Sequence, residues 1–466
     1  MSILDDGAKA VHTEAVNAGP RLEFCPMMSN YGAPNITLVE GRGTEVWDNK
    51  GRRYLDFLTG LAVTSLGHSH PAITEAITEQ AQTLIHVSNL YNTLPGPEVA
   101  ITLDRLIQTF PAEAVAALGS NNVGPVVGTN ATDARGAAGS RASGAQAASP
   151  SGAISTLVTQ SPSKQRGQVL FQNSGAEANE AAIKLARKYN GRGRHVVLSA
   201  MRSFHGRTLA TLHATGQPEK HEMFQPLPEG FRHAAYDDVA AMEAALDPTV
   251  GAILVEAIQG EGGVNAPNPE YLRDLRALCD ERGVLLILDE IQTGIGRTGA
   301  WFAFQHAGIL PDIVTMAKAL GNGMPIGAVW AKREVAEVFR PGDHGSTFAG
   351  QPLAGAAARA TLAVMEQIDG PKLATERGAE LANALLALDG VDSVRGSGLL
   401  LAAELNEDGL RGRTAGEVSA ACAEHGVLVN GVTKTALRFA PPLTVSSGEI
   451  EEAIRKIDAA LKGAAL

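Results

Sequence analysis

Cysteine is scarce. Only Cys25, Cys279 and Cys422 occur in 466 residues, and no two of them form a C-x-x-C pair. That scarcity argues against a disulfide framework or a zinc site, and no metal is expected; a reducing compartment fits. No apolar run approaches the roughly 20 residues that a membrane-spanning helix needs. The opening stretch MSILDDGAKAVHTEAV has no apolar h-region and carries acids. It reads as neither a secretory signal nor an Arg-rich transit peptide, so a cytoplasmic protein with no membrane partner is expected. Basic residues are not in excess: 39 Lys and Arg stand against 50 Asp and Glu, for a net charge of -11. Nucleic-acid binding through general charge is not expected, because phosphate neutralisation needs clustered Lys and Arg.

What is present is ample apolar material, 44% of the chain. At roughly 100–200 residues per domain, this length implies two or three substructures. Residues 38–58 read as short strands around a turn at Asn49–Gly51, and helical patterns follow at 71–85 and 96–110. Residues 112–167 are rich in Ala, Gly and Ser and contain no aromatic residue. They bury too little apolar surface to offset their ordering entropy, so they read as a flexible insertion. Its Asn130-Ala131-Thr132 is a formal glycosylation acceptor, which means nothing without a secretory signal.

From about 168 to 345, short apolar runs alternate with helical patterns. The runs include Gln168–Phe171, His195–Leu198, Ala252–Val255, Val284–Leu288 and Ile313–Met316. Strands alternating with helices imply an α/β domain with a mainly parallel sheet covered on both faces. Residues 350–466 read as mostly helical with a strand pair near 393–405 and 427–439, a smaller α+β domain packed with the N-terminal strands. The division expected is an N-terminal segment 1–70 belonging to the small domain, a large domain 71–345 containing the insertion, and a C-terminal small domain 346–466. No internal repeat is visible.

Ligands of such sheets bind outside the C-terminal strand ends, so the residues after each run matter most. Asn173-Ser174-Gly175-Ala176-Glu177 follows the first run. Ser174 with Glu177 fits a capping box, and small residues at a helix start let an anion reach free N–H groups. An ordinary capped helix would read the same way. Asp289 follows five apolar residues. It suits either a structural ion pair or a salt bridge to a protonated pyridine nitrogen, which keeps such a ring electron-accepting. Lys318 sits in Ala317-Lys318-Ala319-Leu320-Gly321. A lysine so flanked is either a snorkelling surface residue or a buried amine with a lowered pKa. Ser203-Phe204-His205-Gly206-Arg207 offers an aromatic that could stack on a flat ring and an arginine that could fork onto a carboxylate, or a core Phe and a surface Arg. Each feature alone is ordinary. Together, on separate strand ends, they supply what pyridoxal phosphate requires.

At these residues the chain resembles the class III (ω-) pyridoxal-phosphate aminotransferases, and within them the bacterial acetylornithine branch. The similar segments are Asn30-Tyr31-Gly32, Leu66-Gly67-His68, His86 to Tyr91, NSGAEANEAAIK from Asn173, FHGRT from Phe204, EAIQGEGGV from Glu256, LILDEIQTGIGRTG from Leu286, MAKALGNGMPIGA from Met316, HGSTFAGQPLA from His344 and LRFAPPL from Leu437. Nearly the whole chain is covered except about 1–24 and 112–167.

The resemblance implies the type I aminotransferase fold. It implies that Lys318 carries pyridoxal 5'-phosphate and then moves the substrate proton, with Asp289 on the pyridine nitrogen and Gln292 on the ring hydroxyl. Ser174, Gly175 and Ala176 would hold the phosphate, and Phe204 would stack on the ring. Thr347 would reach the phosphate of a neighbouring subunit, so the partner expected is a second copy in a homodimer with shared sites. Arg207 would bind the substrate α-carboxylate, and Ser346 would touch substrate across the same interface. Glu261 and Arg438 would form a switch that accommodates acetylornithine in one half-reaction and 2-oxoglutarate or glutamate in the other; a static ion pair is the alternative. Other amine donors (ornithine, succinylornithine, succinyldiaminopimelate, 4-aminobutyrate), and aminomutase or decarboxylase chemistry, remain open at this level. Two stretches depart from the family pattern. Glu256-Ala257-Ile258-Gln259 has Ala where proline is usual, and Ala349-Gly350-Gln351-Pro352 replaces Gly-Gly-Asn-Pro. The insertion enters ahead of the strand that leads to Ser174, at the end away from the expected site.

Overall fold

The computed structural model describes residues 28, 30, 36–110 and 167–463. Cys25, Tyr31, Gly32, Asn130–Thr132 and the expected insertion up to residue 166 lie outside the described residues.

The N-terminal strands form as the turn signal predicts. Strand β1 (Leu38–Arg42) pairs antiparallel with β2 (Glu45–Asp48), which pairs with β3 (Arg53–Asp56) across the turn at Gly51. The two helical patterns appear as Pro71–Thr83 and Pro95–Ile107. Each begins on a proline, whose fixed φ and missing N–H suit the first turn. Each ends two or three residues earlier than periodicity alone suggests.

The central sheet has seven strands: β4 (Gly167–Gln172), β5 (Val196–Ala200), β6 (Phe231–Ala234), β7 (Val250–Glu256), β8 (Leu285–Asp289), β9 (Ile313–Met316) and β10 (Gly327–Lys332). Their order is β4-β10-β9-β8-β7-β5-β6. The five strands from β9 to β6 are parallel, and β10 alone runs against its neighbours β4 and β9. All five expected runs therefore fall on strands, with His195 and Val284 one residue ahead of theirs, and β6 and β10 add to them. Because β4 and β9 both oppose β10, the C-terminal ends of β4, β5, β7, β8 and β9 share one edge.

Strands β7, β8 and β9 are buried at every residue, as a sheet covered on both faces requires. Alternation divides them cleanly. Leu254, Leu285, Ile287 and Ile313 face helix Gly175–Asn190, which lays Ala178, Ala181, Ala182 and Ala186 against them. Ile253, Val255, Leu286, Leu288 and Val314 face the other way, toward Leu272 and Leu275 of helix Tyr271–Arg282.

Two four-stranded sheets flank this layer. One adds β13 (Val427–Leu428) in parallel to β3, giving β1-β2-β3-β13. The other orders β11 (Val391–Ser397), β12 (Leu400–Leu405), β15 (Ala436–Phe439) and β14 (Asn430–Gly431) as β11-β12-β15-β14. The expected pair at 427–439 is thus broken into three pieces, because its first residues leave for the N-terminal sheet. Arg297 joins these parts. Its fully buried guanidinium donates to Ser65 Oγ at 2.7 Å, to Leu399 O at 3.1 Å and to Pro441 O at 2.5 Å.

Candidate active site

The shared sheet edge opens into a cavity of about 400 Å³. Nine residues singled out from the sequence line it: Ser174, Gly175, Ala176, Phe204, Arg207, Glu261, Asp289, Gln292 and Lys318. Arg438 stands immediately behind Glu261. Ser346 and Thr347 are not on its wall.

At the end of β4, Ser174 caps helix Gly175–Asn190, its Oγ accepting from Glu177 N at 3.2 Å. The reciprocal half of the expected capping box does not close on Ser174. Glu177 instead accepts from Asn173 N at 2.7 Å, one residue upstream. The first N–H groups of a helix have no intrahelical partner, and here they face the cavity with a dipole that favours an anion. The backbone comes close on both sides. A Cβ at Gly175 would lie 2.8 Å from Ile291 Cδ1, and one at Gly327 would collide with the Ser174 carbonyl.

At the end of β8, Asp289 is 4% exposed. Its Oδ2 accepts from Asn179 Nδ2 and from His205 Nδ1, both at 2.8 Å, and its Oδ1 accepts from Ile291 N at 3.1 Å. Glu256 ends β7 in register with Asp289. Its Oε2 accepts from Phe204 N at 3.1 Å and its Oε1 from Gly260 N at 3.4 Å. Burial, and then the charge of Asp289, push the Glu256 carboxyl well above the usual carboxylate range.

Lys318 follows β9 with φ +41, a left-handed conformation that a non-glycine residue adopts only under constraint, at a cost of about 1–3 kcal/mol. Burial lowers its ammonium below the usual lysine value; Glu261, Asp289 and Glu256 oppose that shift and Arg438 adds to it. A neutral amine at this point can attack a carbonyl carbon and carry a proton.

Beyond Lys318 stands the charged pair. Arg438 Nη1 lies 2.6 Å from Glu261 Oε1 and also donates to Gly260 O at 3.2 Å and Gln292 Oε1 at 3.3 Å. Arg438 is 1% exposed and its Nε has no partner among the described residues. Burial alone would raise the Glu261 carboxyl, but Arg438, and after it Lys318 and Gln292, hold it below the usual value. At the mouth, the Arg207 guanidinium lies 5.5 Å from the Phe204 ring centre and Lys220 Nζ lies 5.8 Å from it.

Ser346 Oγ accepts from Asn173 Nδ2 at 2.8 Å, whereas Thr347 and Phe348 are exposed. Sequence reasoning gave no role to Asn179, His205, Glu256 or Ile291. Asn179 carried a readable signal, a polar side chain within the apolar face of its helix. Glu256 carried none beyond its place at a strand end.

The donor set fits pyridoxal phosphate. A helix start with small residues suits the phosphate, Phe204 and Ile291 offer apolar walls for a ring, and Asp289 keeps an acceptor position for a ring N–H. Lys318 supplies the amine.

Comparison with known proteins agrees with this chemistry. The family model described as "Aminotransferase class-III" matches residues 27–124 and 114–461. An acetylornithine aminotransferase of Caldanaerobacter subterraneus subsp. tengcongensis is 42% identical over 441 residues, covering 93% of this chain and 96% of that protein. The crystal structure of ornithine aminotransferase from Toxoplasma gondii superposes with a TM-score of 0.77 at 31% identity, covering 94% of this chain and 93% of the other. N-acetylornithine aminotransferase from Stenotrophomonas maltophilia gives 0.70 at 30% identity, over 93% of this chain and 98% of that one.

Proposed function

The chain belongs to the class III aminotransferases and is a pyridoxal-phosphate-dependent transaminase, and from that premise we propose that it moves the δ-amino group of N2-acetyl-L-ornithine to 2-oxoglutarate. The products are N-acetyl-L-glutamate 5-semialdehyde and L-glutamate, and the place of the reaction is arginine synthesis. When bound, the cofactor accepts the electron pair released as the substrate C–H bond breaks. The chain supplies the rest. Lys318 Nζ, at the cavity wall, would take the proton from the substrate carbon and hold it for return. Asp289 would accept from the ring N–H, Gln292 would meet the ring hydroxyl, and Ser174, Gly175 and Ala176 would hold the phosphate. Arg207 binds the α-carboxylate.

One observation carries the two-substrate reading: the 2.6 Å contact between Glu261 and a buried Arg438. An amine donor that presents an uncharged methylene chain here needs the guanidinium neutralised. 2-Oxoglutarate places a carboxylate beside its reacting carbon and needs the guanidinium bare. A carboxylate that pairs with Arg438 and is itself 28% exposed can serve both by swinging away. Aminomutases and decarboxylases need no such exchange.

The homodimer is supported by an unpartnered apolar surface. Leu84, Ile85, Leu90, Tyr91, Leu94 and Phe348 are all exposed. The His86 and Phe348 rings pack with centroids 5.3 Å apart and planes tilted by 51°, and Asn89 donates to Ala349 O at 3.1 Å, so the two stretches form one face beside Thr347. Apolar patches of this kind commonly mark an association surface. In this arrangement Thr347 and Ser346 act at the partner's cavity.

The test is a half-reaction. Holoenzyme is mixed with N-acetylornithine alone and the visible band of the bound cofactor is followed. Bleaching that 2-oxoglutarate reverses, faster than with ornithine, succinylornithine, succinyldiaminopimelate or 4-aminobutyrate, is the expected result. Faster bleaching by another amine discards acetylornithine as the donor.

A further inference from the structure

Behind Asp289 lies a buried polar cluster that the reaction scheme above does not use. Asn179 is 0% exposed, Thr315 0% and His205 1%. Such groups are costly to bury unless they are bonded, and the Asn179 amide, the Thr315 hydroxyl and His205 Nδ1 all are.

Its bonds leave no freedom of orientation. Asn179 Nδ2 donates to His205 O and to Asp289 Oδ2, each at 2.8 Å, while its Oδ1 accepts from Thr315 Oγ1 at 2.7 Å. Flipping the amide would break all three contacts. His205 is fixed from its backbone N–H, which donates to Thr215 Oγ1 at 2.9 Å, and from its ring Nδ1, which meets Asp289 Oδ2 at 2.8 Å. His205 Nε2 has no partner among the described residues, so the ring has a single polar attachment, and that is Asp289.

A carboxylate offers about four acceptor positions. Asn179 and His205 occupy both on Oδ2, and Ile291 N occupies one on Oδ1. One position remains, on the oxygen of a residue that lines the cavity.

We propose that Asn179 and His205 are positioning residues of the transaminase. By saturating Asp289 Oδ2 they confine the carboxylate to one rotamer and leave one acceptor direction, toward the ring nitrogen of the cofactor. Neither residue touches the cofactor or the substrate. Each acts through Asp289, and so the inference rests on the role given to Asp289 above.

The experiment reads the ring nitrogen directly. Holoenzymes reconstituted with 15N-labelled pyridoxal phosphate are compared by the 15N chemical shift of the bound ring and by the pH titration of its visible band. The chains are wild type, Asp289→Ala, Asn179→Ala, His205→Leu and His205→Asn, the last keeping an N–H at the position of the Nδ1 that meets Asp289. The expected result is a wild-type shift typical of a protonated ring nitrogen. Asn179→Ala and His205→Leu should move it toward the unprotonated value, with a half-reaction rate lowered about 10–100-fold, the size of loss known for residues that orient metal ligands and taken here by analogy. His205→Asn should recover most of both. If Asp289→Ala moves the shift while Asn179→Ala and His205→Leu do not, the positioning inference is overturned and the role of Asp289 stands. If Asp289→Ala also leaves it unmoved, the role of Asp289 falls first. Loss of cofactor by His205→Leu and His205→Asn alike also overturns the inference, because the donor is kept in the second.

Discussion

Glu256 and Asp289 are register partners at the last positions of β7 and β8, so two buried carboxyl groups share one corner of the cavity. Burial and the Asp289 charge raise Glu256 well above its unfolded value of 4.5. The folded chain therefore holds a proton there that the unfolded chain releases. The stability this contributes is complete below pH 4.5 and is lost as pH rises through the folded value. Glu256→Gln removes the titration. Wild type should exceed the variant in melting temperature by most at acid pH, with the gap closing as pH rises. Melting curves of both chains from pH 4 to 9 check this, and a gap that is constant or widens contradicts it.

Lys318→Ala should keep the fold, because the side chain makes no structural bond on which the loop depends, and it should bind cofactor without covalent attachment. Turnover should fall by at least about 10²–10⁴-fold, the share usual for a positioned proton carrier. Borohydride treatment followed by mass spectrometry should link cofactor to wild type and not to the variant. Wild-type rates in the variant would remove Lys318 from the mechanism.

Glu261→Ala leaves Arg438 as a buried cation without its neutralising partner. The half-reaction with the amine donor should lose about 10–100-fold in kcat/KM, since a hydrogen bond to a charged group contributes about 1.5–3 kcal/mol. The half-reaction with 2-oxoglutarate should be unchanged or faster. Stopped-flow measurement of each half separately checks the asymmetry. Equal losses in both halves mean that the pair is a static structural ion pair.

Mixing Lys318→Ala subunits with Thr347→Ala subunits tests the shared site. If Thr347 serves the partner's phosphate, each mixed dimer regains one intact cavity. Activity should therefore rise above that of either variant alone after refolding together. No recovery, with dimers shown to have exchanged, places Thr347 in its own subunit's service.

Removing residues 112–166 should leave both half-reactions within about twofold of wild type, since closure entropy depends only weakly on the length of a connection. The chain re-enters at Gly167, whose Cα pairs with Lys332, while the site begins after Gln172 at the other end of the same strand. Loss of cofactor binding in a deletion variant that remains folded would contradict this.

Much of the site was legible because each element ends on its own chemistry. Four of the five apolar runs lead into Asn173–Glu177, Phe204–Arg207, Asp289 and Lys318, and the sheet gathers those ends at one edge. What stayed hidden depends on packing between elements that are distant in the chain. Asn179 meets Asp289 across 110 positions and His205 meets it across 84, and no local pattern announces either contact. The Glu177 side chain chose Asn173 over Ser174, which spacing alone does not distinguish. The splitting of 427–439 followed from a competing partner, β3, lying more than 370 residues upstream.

The point at which the chain returns to the sheet has a practical use. Gly167 lies against Trp330, whose Nε1 donates to Asp104 Oδ1 at 2.8 Å on helix Pro95–Ile107. Both flanks of the 112–166 stretch are thus anchored to rigid structure at the sheet's far end. A fluorescent protein or an affinity module grafted there would travel with the enzyme while leaving its catalytic edge open to solvent and substrate.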